Sequence, residues 1–347
     1  NTANNNNNHG MEIHGNNAAI TSDNTFTNNK NDGLRLFGTN ISLTGFNFNN
    51  NGRYGLYMEG INANIINNTF SNNGNTGLLI YSDGAIISGN TANNNNNHGM
   101  EIHGNNAAIT SDNTFTNNKN DGLRLFGTNI SLTGFNFNNN GRYGLYMEGI
   151  NANIINNTFS NNGNTGLLIY SDGAIISGNT ANNNNNHGME IHGNNAIITQ
   201  NTAKSDKNEG LRIYGTGTTI QLNTATLNGR YGLYMEGINA NITNNTFSNN
   251  TNTGMRVYSD GGVISNNTVT NNKNTGMEIH GNNAIITNDN IIANNKNDGL
   301  RLYGANISVI GFNFSNNERY GLYFEGSNAN IINNTFSNNG NTGLLIY

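Results

Sequence analysis

Glycine returns along this chain at Gly10, Gly33, Gly55, Gly77, Gly99, Gly122, Gly144, Gly166, Gly188, Gly210, Gly232, Gly254, Gly276, Gly299, Gly321 and Gly343, always after 22 or 23 residues. A fixed period of that size means that each unit is one supersecondary element, unable to bury its apolar side alone, which stacks on the next copy. The expectation is one continuous solenoid over residues 1–347 with a thin core, in keeping with only 34% hydrophobic and 10% charged residues. Cysteine is absent, so neither disulfides nor thiolate metal sites are available and stacking must hold the coils together. Proline is absent too, as suits a chain whose backbone N–H groups are mostly ladder donors. The net charge of -5 offers no basic stripe for nucleic acid. No apolar run approaches the ~18 residues of a membrane span.

Counted from each glycine, position +1 is Leu or Met (Met11, Leu34, Leu56, Leu78) and position +3 is again apolar (Ile13, Leu36, Met58, Ile80), while position +2 points the other way. This alternation marks a short strand with one buried face. Position +10 is aliphatic (Ile20, Leu43, Ile65, Ile87), and a third apolar column lies seven residues before the next glycine (Phe26, Phe48, Phe70, Ala92, Phe115). Three short strands per coil predict an all-β fold, a parallel β-helix of about 16 coils. A leucine-rich repeat would need closely spaced leucines and a helical arc, whereas the arcs here are Asn, Gly, Thr and Ser.

Four residues before the glycine stands a column of asparagines: Asn29, Asn51, Asn73, Asn95, Asn118, Asn140, Asn162, Asn184, Asn228, Asn250, Asn272, Asn295, Asn317 and Asn339, with Asp206 the exception. Stacked amides each donate to one neighbour and accept from the other, about 1 kcal/mol net per bond, and Asn tolerates the left-handed backbone of tight corners. A second column, nine residues before the glycine, holds Asn24, Asn68, Asn90 and Asn113 and is interrupted by Phe46, Phe135 and Phe312. Registry over so many coils excludes a disordered Asn-rich tract.

Units such as NTGLLIYSDGAIISGNTANN and RYGLYMEGINANIINNTFSNN make the whole chain resemble right-handed parallel β-helix proteins of the pectate-lyase-like fold, in particular the degenerate repeats of microbial surface and secreted proteins. The resemblance implies right-handed coiling and an extracellular or cell-surface location. For the lyases and hydrolases of that fold it implies a groove with Asp or Glu beside Arg or Lys, often with calcium. Here the acids recur with a longer period: four coils form a block, giving 1–89, 90–178, 179–266 and 267–347, so Asp32 returns as Asp121 and Asp298 and Glu59 as Glu148, Glu236 and Glu325. Catalysis needs one constellation with unequal pKa values, so no catalytic residue, cofactor or metal is expected and the chain reads as a non-enzyme. The least repetitive polar cluster, Lys204, Asp206, Lys207, Glu209 and Arg256, reads as drift. His9 and His14, copied at His98 and His103 and at His187 and His192, stand ~16 Å apart at opposite ends of a strand and read as solvated surface residues. Asn-Xaa-Ser/Thr sequons, as at Asn40 and Asn67, are a weak signal in a chain this rich in Asn.

The outward positions +2 and +4 concentrate the aromatic and charged side chains. The candidate contact strip is Glu12, His14, Arg35, Phe37, Tyr57, Glu59, Tyr81, Glu101, His103, Arg124, Phe126, Tyr146, Glu148, Tyr170, Tyr214, Tyr234, Tyr258, Tyr303 and Tyr323. With strands ~4.8 Å apart, the same patch repeats about every 19 Å. Cross-strand stabilisation, as in Glu12 beside Arg35 or Phe37 near Tyr57, explains such a strip as well as binding does. The expected function is a structural protein of the cell surface or extracellular space: a rod, stalk or filament, with an adhesive role and self-association by end-to-end stacking or lateral packing. The alternative is a carbohydrate-binding or polysaccharide-degrading protein whose Tyr and Phe rings meet surface glycans. Ice binding ranks lower, because this strip has no regular threonine ladder.

Overall fold

The computed structural model describes residues 1–21, 24–110, 112–287 and 290–347. It comprises two compact units, Asn1–Ser171 and Asp172–Tyr347. Among the described residues all regular structure is β-strand.

In the first unit each coil passes through three short strands, and each strand adds to its own sheet. Sheet I begins with Thr2–Asn4, Thr25–Thr27, Asn47–Asn49 and Thr69–Ser71; sheet II with Met11–His14, Leu34–Phe37, Leu56–Ile61 and Leu78–Asp83; sheet III with Ala19–Thr21, Ser42–Thr44, Asn64–Ile66 and Ile86–Ser88. Every pairing is parallel and in register with the period: Phe26 beside Phe48 beside Phe70 in sheet I, Leu34 beside Leu56 beside Leu78 in sheet II, Leu43 beside Ile65 beside Ile87 in sheet III. The second unit repeats the pattern, with Leu211, Leu233, Met255 and Met277 following one another in sheet II. Three parallel sheets built in turn by one chain are a parallel β-helix, as the three apolar columns predict.

The inward residues form continuous files. Phe26, Phe48 and Phe70 stack with ring centroids 5.2 and 5.0 Å apart, and Phe115, Phe137 and Phe159 do the same at 5.3 and 5.2 Å. All six are at most 1% exposed, so each contributes roughly 2–3 kcal/mol of burial. Phe46, where the second Asn column is interrupted, is equally buried and stacks on Phe26 and Phe48. The periodic glycine is explained by close approach. A Cβ at Gly55 would lie 2.6 Å from the carbonyl oxygen of Gly77 and 2.9 Å from Cβ of Phe48, distances at which the next coil could not stack.

The asparagine column is a hydrogen-bonded ladder. Asn29 Nδ2 donates to Asn51 Oδ1 at 2.9 Å, Asn51 Nδ2 to Asn73 Oδ1 at 3.1 Å, and Asn73 Nδ2 to Asn95 Oδ1 at 3.0 Å. The second amide hydrogen reaches a carbonyl of the preceding coil, as from Asn51 to Phe26 O. In the second unit Asn228, Asn250, Asn272 and Asn295 continue likewise. The second column forms its own ladder through Asn68, Asn90 and Asn113. One detail differs from expectation: the residue in the left-handed region is the one before the ladder asparagine, such as Asn28, Asn50 and Asn72 at φ 55 to 57°. The ladder residue keeps φ negative because both its N–H and its amide must point along the stack.

Candidate functional site

The outer face of sheet II carries every residue of the expected strip. Glu12, Arg35 and Tyr57 follow one another at position +2, and His14, Phe37, Glu59 and Tyr81 at position +4. Leu79 and Leu168, which share the +2 column, are only 6% and 5% exposed. Each lies among larger side chains, Leu79 between Tyr57 and Glu101, and is covered by them.

The aromatic rings mostly face one another instead of facing solvent. His14 stacks on Phe37 at 4.7 Å, Tyr81 on His103 at 4.5 Å, and His103 on Phe126 at 4.5 Å; Tyr258, His280 and Tyr303 repeat the triple stack at 4.6 and 4.5 Å. Between the triples the rings tilt, as at Phe126 and Tyr146 (58°), Tyr146 and Tyr170 (53°) and Tyr214 and Tyr234 (57°). Parallel stacking occupies the ring faces and leaves hydroxyl groups and edges outermost. Tyr57 donates to Glu59, Tyr146 to Glu148, and Tyr234 to Glu236 at 2.9 Å. Burial, then the bond to the carboxylate, pushes these three tyrosines up to about 12.

A second set of residues completes the face and comes from the column immediately before each glycine, which reads His9, Asp32, Tyr54, Thr76, then His98, Asp121, Tyr143, Thr165. Asp32 is fully buried and receives Nε and Nη2 of Arg53 at 2.7 and 2.6 Å. Arg142 grips Asp121 at the same distances, and Arg319 grips Asp298 at 2.7 and 2.5 Å. Burial pushes the Asp121 carboxyl up, but the bonds from Arg142 and His98 outweigh it and hold it below the usual carboxylate range. Each guanidinium lies over the next tyrosine: Arg53 over Tyr54 at 4.6 Å, Arg142 over Tyr143 at 4.7 Å, Arg319 over Tyr320 at 4.5 Å. Arg301, Tyr303, Arg319, Tyr320, Tyr323 and Glu325 line an open hollow of about 420 Å³. The pre-glycine column was readable at the same period as the others, but its polarity hides that it is buried.

The histidines are corrected by this arrangement. His14 is well exposed, but His98 and His187 are 3% exposed. His98 Nδ1 lies 3.2 Å from Asp121, and His187 Nδ1 lies 2.6 Å from Glu209. Burial is tolerated because each ring meets a carboxylate at its own depth. Among the described residues no group of three or more His, Cys, Asp or Glu is placed to hold a metal ion.

The drifting cluster is spread over different surroundings. Lys204 is exposed at the end of its strand. Asp206 is buried in the ladder, Glu209 replaces the aspartate of the other blocks, and Arg256 bonds Tyr231 and Glu278. Asp206 Oδ1 accepts from N and Nδ2 of Asn184, both at 2.9 Å, while its buried Oδ2 has no hydrogen-bond partner. Burial raises this carboxyl to about 7 against the bonds from Asn184.

A family model described as a right-handed β-helix region matches residues 1–133, 111–241 and 231–347. No curated protein matches the sequence. Among solved structures the chain is similar to the A-module of the mannuronan C-5 epimerase AlgE6 of Azotobacter vinelandii, at 13% identity over 90% of both chains and a TM-score of 0.47. The A-module of AlgE4 from the same organism gives 14% identity over 90% of this chain and 88% of that one, with a TM-score of 0.44. PfbA, a surface adhesin of Streptococcus pneumoniae, gives 12% identity over 77% and 85%, with a TM-score of 0.40. Two of these three are epimerases, so the expectation of a non-enzyme does not stand. The chain belongs to the right-handed β-helix family.

Proposed function

We propose that the chain is a polysaccharide-binding β-helix of a surface or secreted protein, and that the outer face of sheet II is its contact surface. What carries this reading is the recurrence of one group of side chains: Arg53, Tyr54, Tyr57 and Glu59, then Arg142, Tyr143, Tyr146 and Glu148, Arg230, Tyr231, Tyr234 and Glu236, and Arg319, Tyr320, Tyr323 and Glu325. Each copy sets a tyrosine hydroxyl beside a carboxylate and a guanidinium over a ring, the mixture of hydrogen-bonding edges and apolar body that suits a polyhydroxyl chain. Tyrosines held near 12 remain protonated donors at any physiological pH. Because stacking covers most ring faces, the contact is made by edges, hydroxyls and guanidinium nitrogens more than by rings lying flat on sugars.

The test is affinity electrophoresis of the whole chain in gels containing alginate or a neutral β-glucan, beside Y57A/Y146A/Y234A/Y323A. Retention of the wild type and its loss in the variant, with unchanged circular dichroism, is expected. Equal mobility in every gel would end the proposal. Reducing ends or unsaturated products appearing in the same incubations would add catalysis to binding.

A further inference from the structure

The threonine file absent from sheet II stands on sheet I. In the second unit the first outward position of successive sheet I strands is Thr180, Thr202, Thr224, Thr246 and Thr268, each in direct parallel register with the next. In the first unit Thr69, Thr91 and Thr114 form the same file, interrupted on either side by Asn47 and Asn136. The companion outward file, two residues along, holds Thr27, Ser71 and Thr116 alternating with Asn49 and Asn93 in one unit, and Thr226, Ser248 and Thr270 in succession in the other.

Three properties separate this face from the other two. It is almost uncharged: no outward residue of sheet I in the first unit is ionisable, and Lys204 is the exception in the second. Sheet II, by contrast, is laced with ion pairs, and sheet III exposes Ile86, Ile175, Ile197 and Ile285, whereas sheet I, among the described residues, exposes one outward isoleucine, Ile291, where its threonine file ends after Thr268. The hydroxyls of its first file are uncommitted: no side-chain bond is made by Thr69, Thr91, Thr114, Thr202, Thr224 or Thr246 among the described residues, and each is at least partly exposed, whereas in the companion file Ser71 donates to Asn49 and Ser248 accepts from Asn249. The threonines of the first file are β-branched, so a run of them keeps one rotamer more readily than Ser or Asn would.

We propose that sheet I is an ice-binding face. Its hydroxyls recur about 4.8 Å apart between strands and about 6.6 Å apart along them, intervals close to the oxygen repeats on the prism faces of ice. An ice surface is an uncharged lattice periodic in two directions, and the complementary protein surface is an uncharged, rigid array with donors and acceptors at matching intervals. Charges hold a hydration shell that does not fit the lattice, so Lys204 is a defect in the array. This inference is independent of the glycan reading, which uses a different sheet.

The experiment exposes a growing single-crystal ice hemisphere to the fluorescently labelled whole chain and measures ice recrystallisation in parallel. The wild type is expected to adsorb on a defined plane and to slow recrystallisation; K204T should adsorb more strongly, T91K/T224K should lose both effects, and Y146A on sheet II should keep them. Should the lysine pair lose its β-sheet circular dichroism, T91S/T224S keeps the hydroxyls, removes the methyls and is expected to adsorb more weakly. Exclusion of the wild type from the ice, or undiminished adsorption by T91K/T224K or, where that pair does not fold, by T91S/T224S, overturns the proposal.

Discussion

The coil that ends at Gly122 in the first unit and the coil that ends at Gly210 in the second solve one geometry with different residues. In the first, Asp121 binds Arg142 through two nitrogens, the ladder residue is Asn118, and the left-handed residue before it is Asn117. In the second, Glu209 meets Arg230 through one nitrogen at 3.0 Å, the ladder residue is Asp206, and Ser205 takes φ 59°. The other left-handed positions nearby are Gln200, Leu222 and Leu227, whereas everywhere else among the described residues they are Asn or Gly. The backbone is the same in both places, so no single corner residue defines the coil. Neighbours on both sides impose the path, and a coil with poor local preferences is carried by good ones, as expected of a one-dimensional array with strong interfaces.

The sharpest way to break the equivalence is the ladder. In the regular coils the position of Asp206 Oδ2 is an amide nitrogen that donates to the next Oδ1; an ionised carboxylate there has no proton to give. The proton is therefore bound more tightly in the fold than in the open chain. A raised acid pKa contributes stability below the unfolded value, near 4, and loses it as pH rises through about 7. D206N should remove that loss. Urea unfolding is expected to show D206N more stable than the wild type by on the order of 4 kcal/mol at pH 8 and by little at pH 4. A constant difference across that range would show that Asp206 titrates normally.

Next in size are the paired acids. D121N removes two charge-assisted bonds and leaves His98 and Arg124 facing a neutral amide; with Arg142 partly screened by water, about 2 kcal/mol is expected to be lost. E209Q, which breaks a single bond to the more exposed Arg230 and the close pair with His187 at 2.6 Å, should lose about half as much. Both acids are held below their ordinary values, so their contribution exists above the unfolded pKa and disappears as pH falls below it. Each substitution should flatten the acid limb of a stability profile and leave the neutral limb, where Asp206 acts, unchanged. Equal losses for the two would mean that bond count does not distinguish these sites.

What could be read from the sequence was what repeats with one chemistry. Leu34, Leu56 and Leu78 announce sheet II because apolar side chains must be buried, and Asn51, Asn73 and Asn95 announce the ladder because only a stack gives identical amides a use. The Asp32 column escaped because His, Asp, Tyr and Thr alternate in it, and alternating polar residues look like surface. The burial of the column's aspartates depends on an arginine 21 residues later, one coil away, and no period within a single column reveals such a link. The strip itself was found, but stacking between its rings needs side-chain orientations that spacing does not supply. The threonine file is harder to read because Asn47, Asn136 and Ile291 interrupt it and its small polar side chains look like any exposed coil.

The smallest expected effect concerns the corners. Leu222 and Leu227 hold φ at 57 and 61° and are 50% and 52% exposed, so their side chains give little packing in return for the strain. A non-glycine, non-Asn residue in this region costs roughly 1–2 kcal/mol. L222N and L227N, which restore the residue type used at most other corners, are each expected to gain about 1 kcal/mol in urea unfolding with unchanged m. Their backbone N–H groups already donate to Thr243 and Ser248, so nothing else in the coil need move. The same change at a corner that is already Asn has no counterpart, which makes Asn117→Leu in the first unit the reciprocal test: it should lose what Leu227→Asn gains. If the loss is much larger than the gain, the second unit has adapted around its leucines, and the two regions are equivalent in path but not in tolerance.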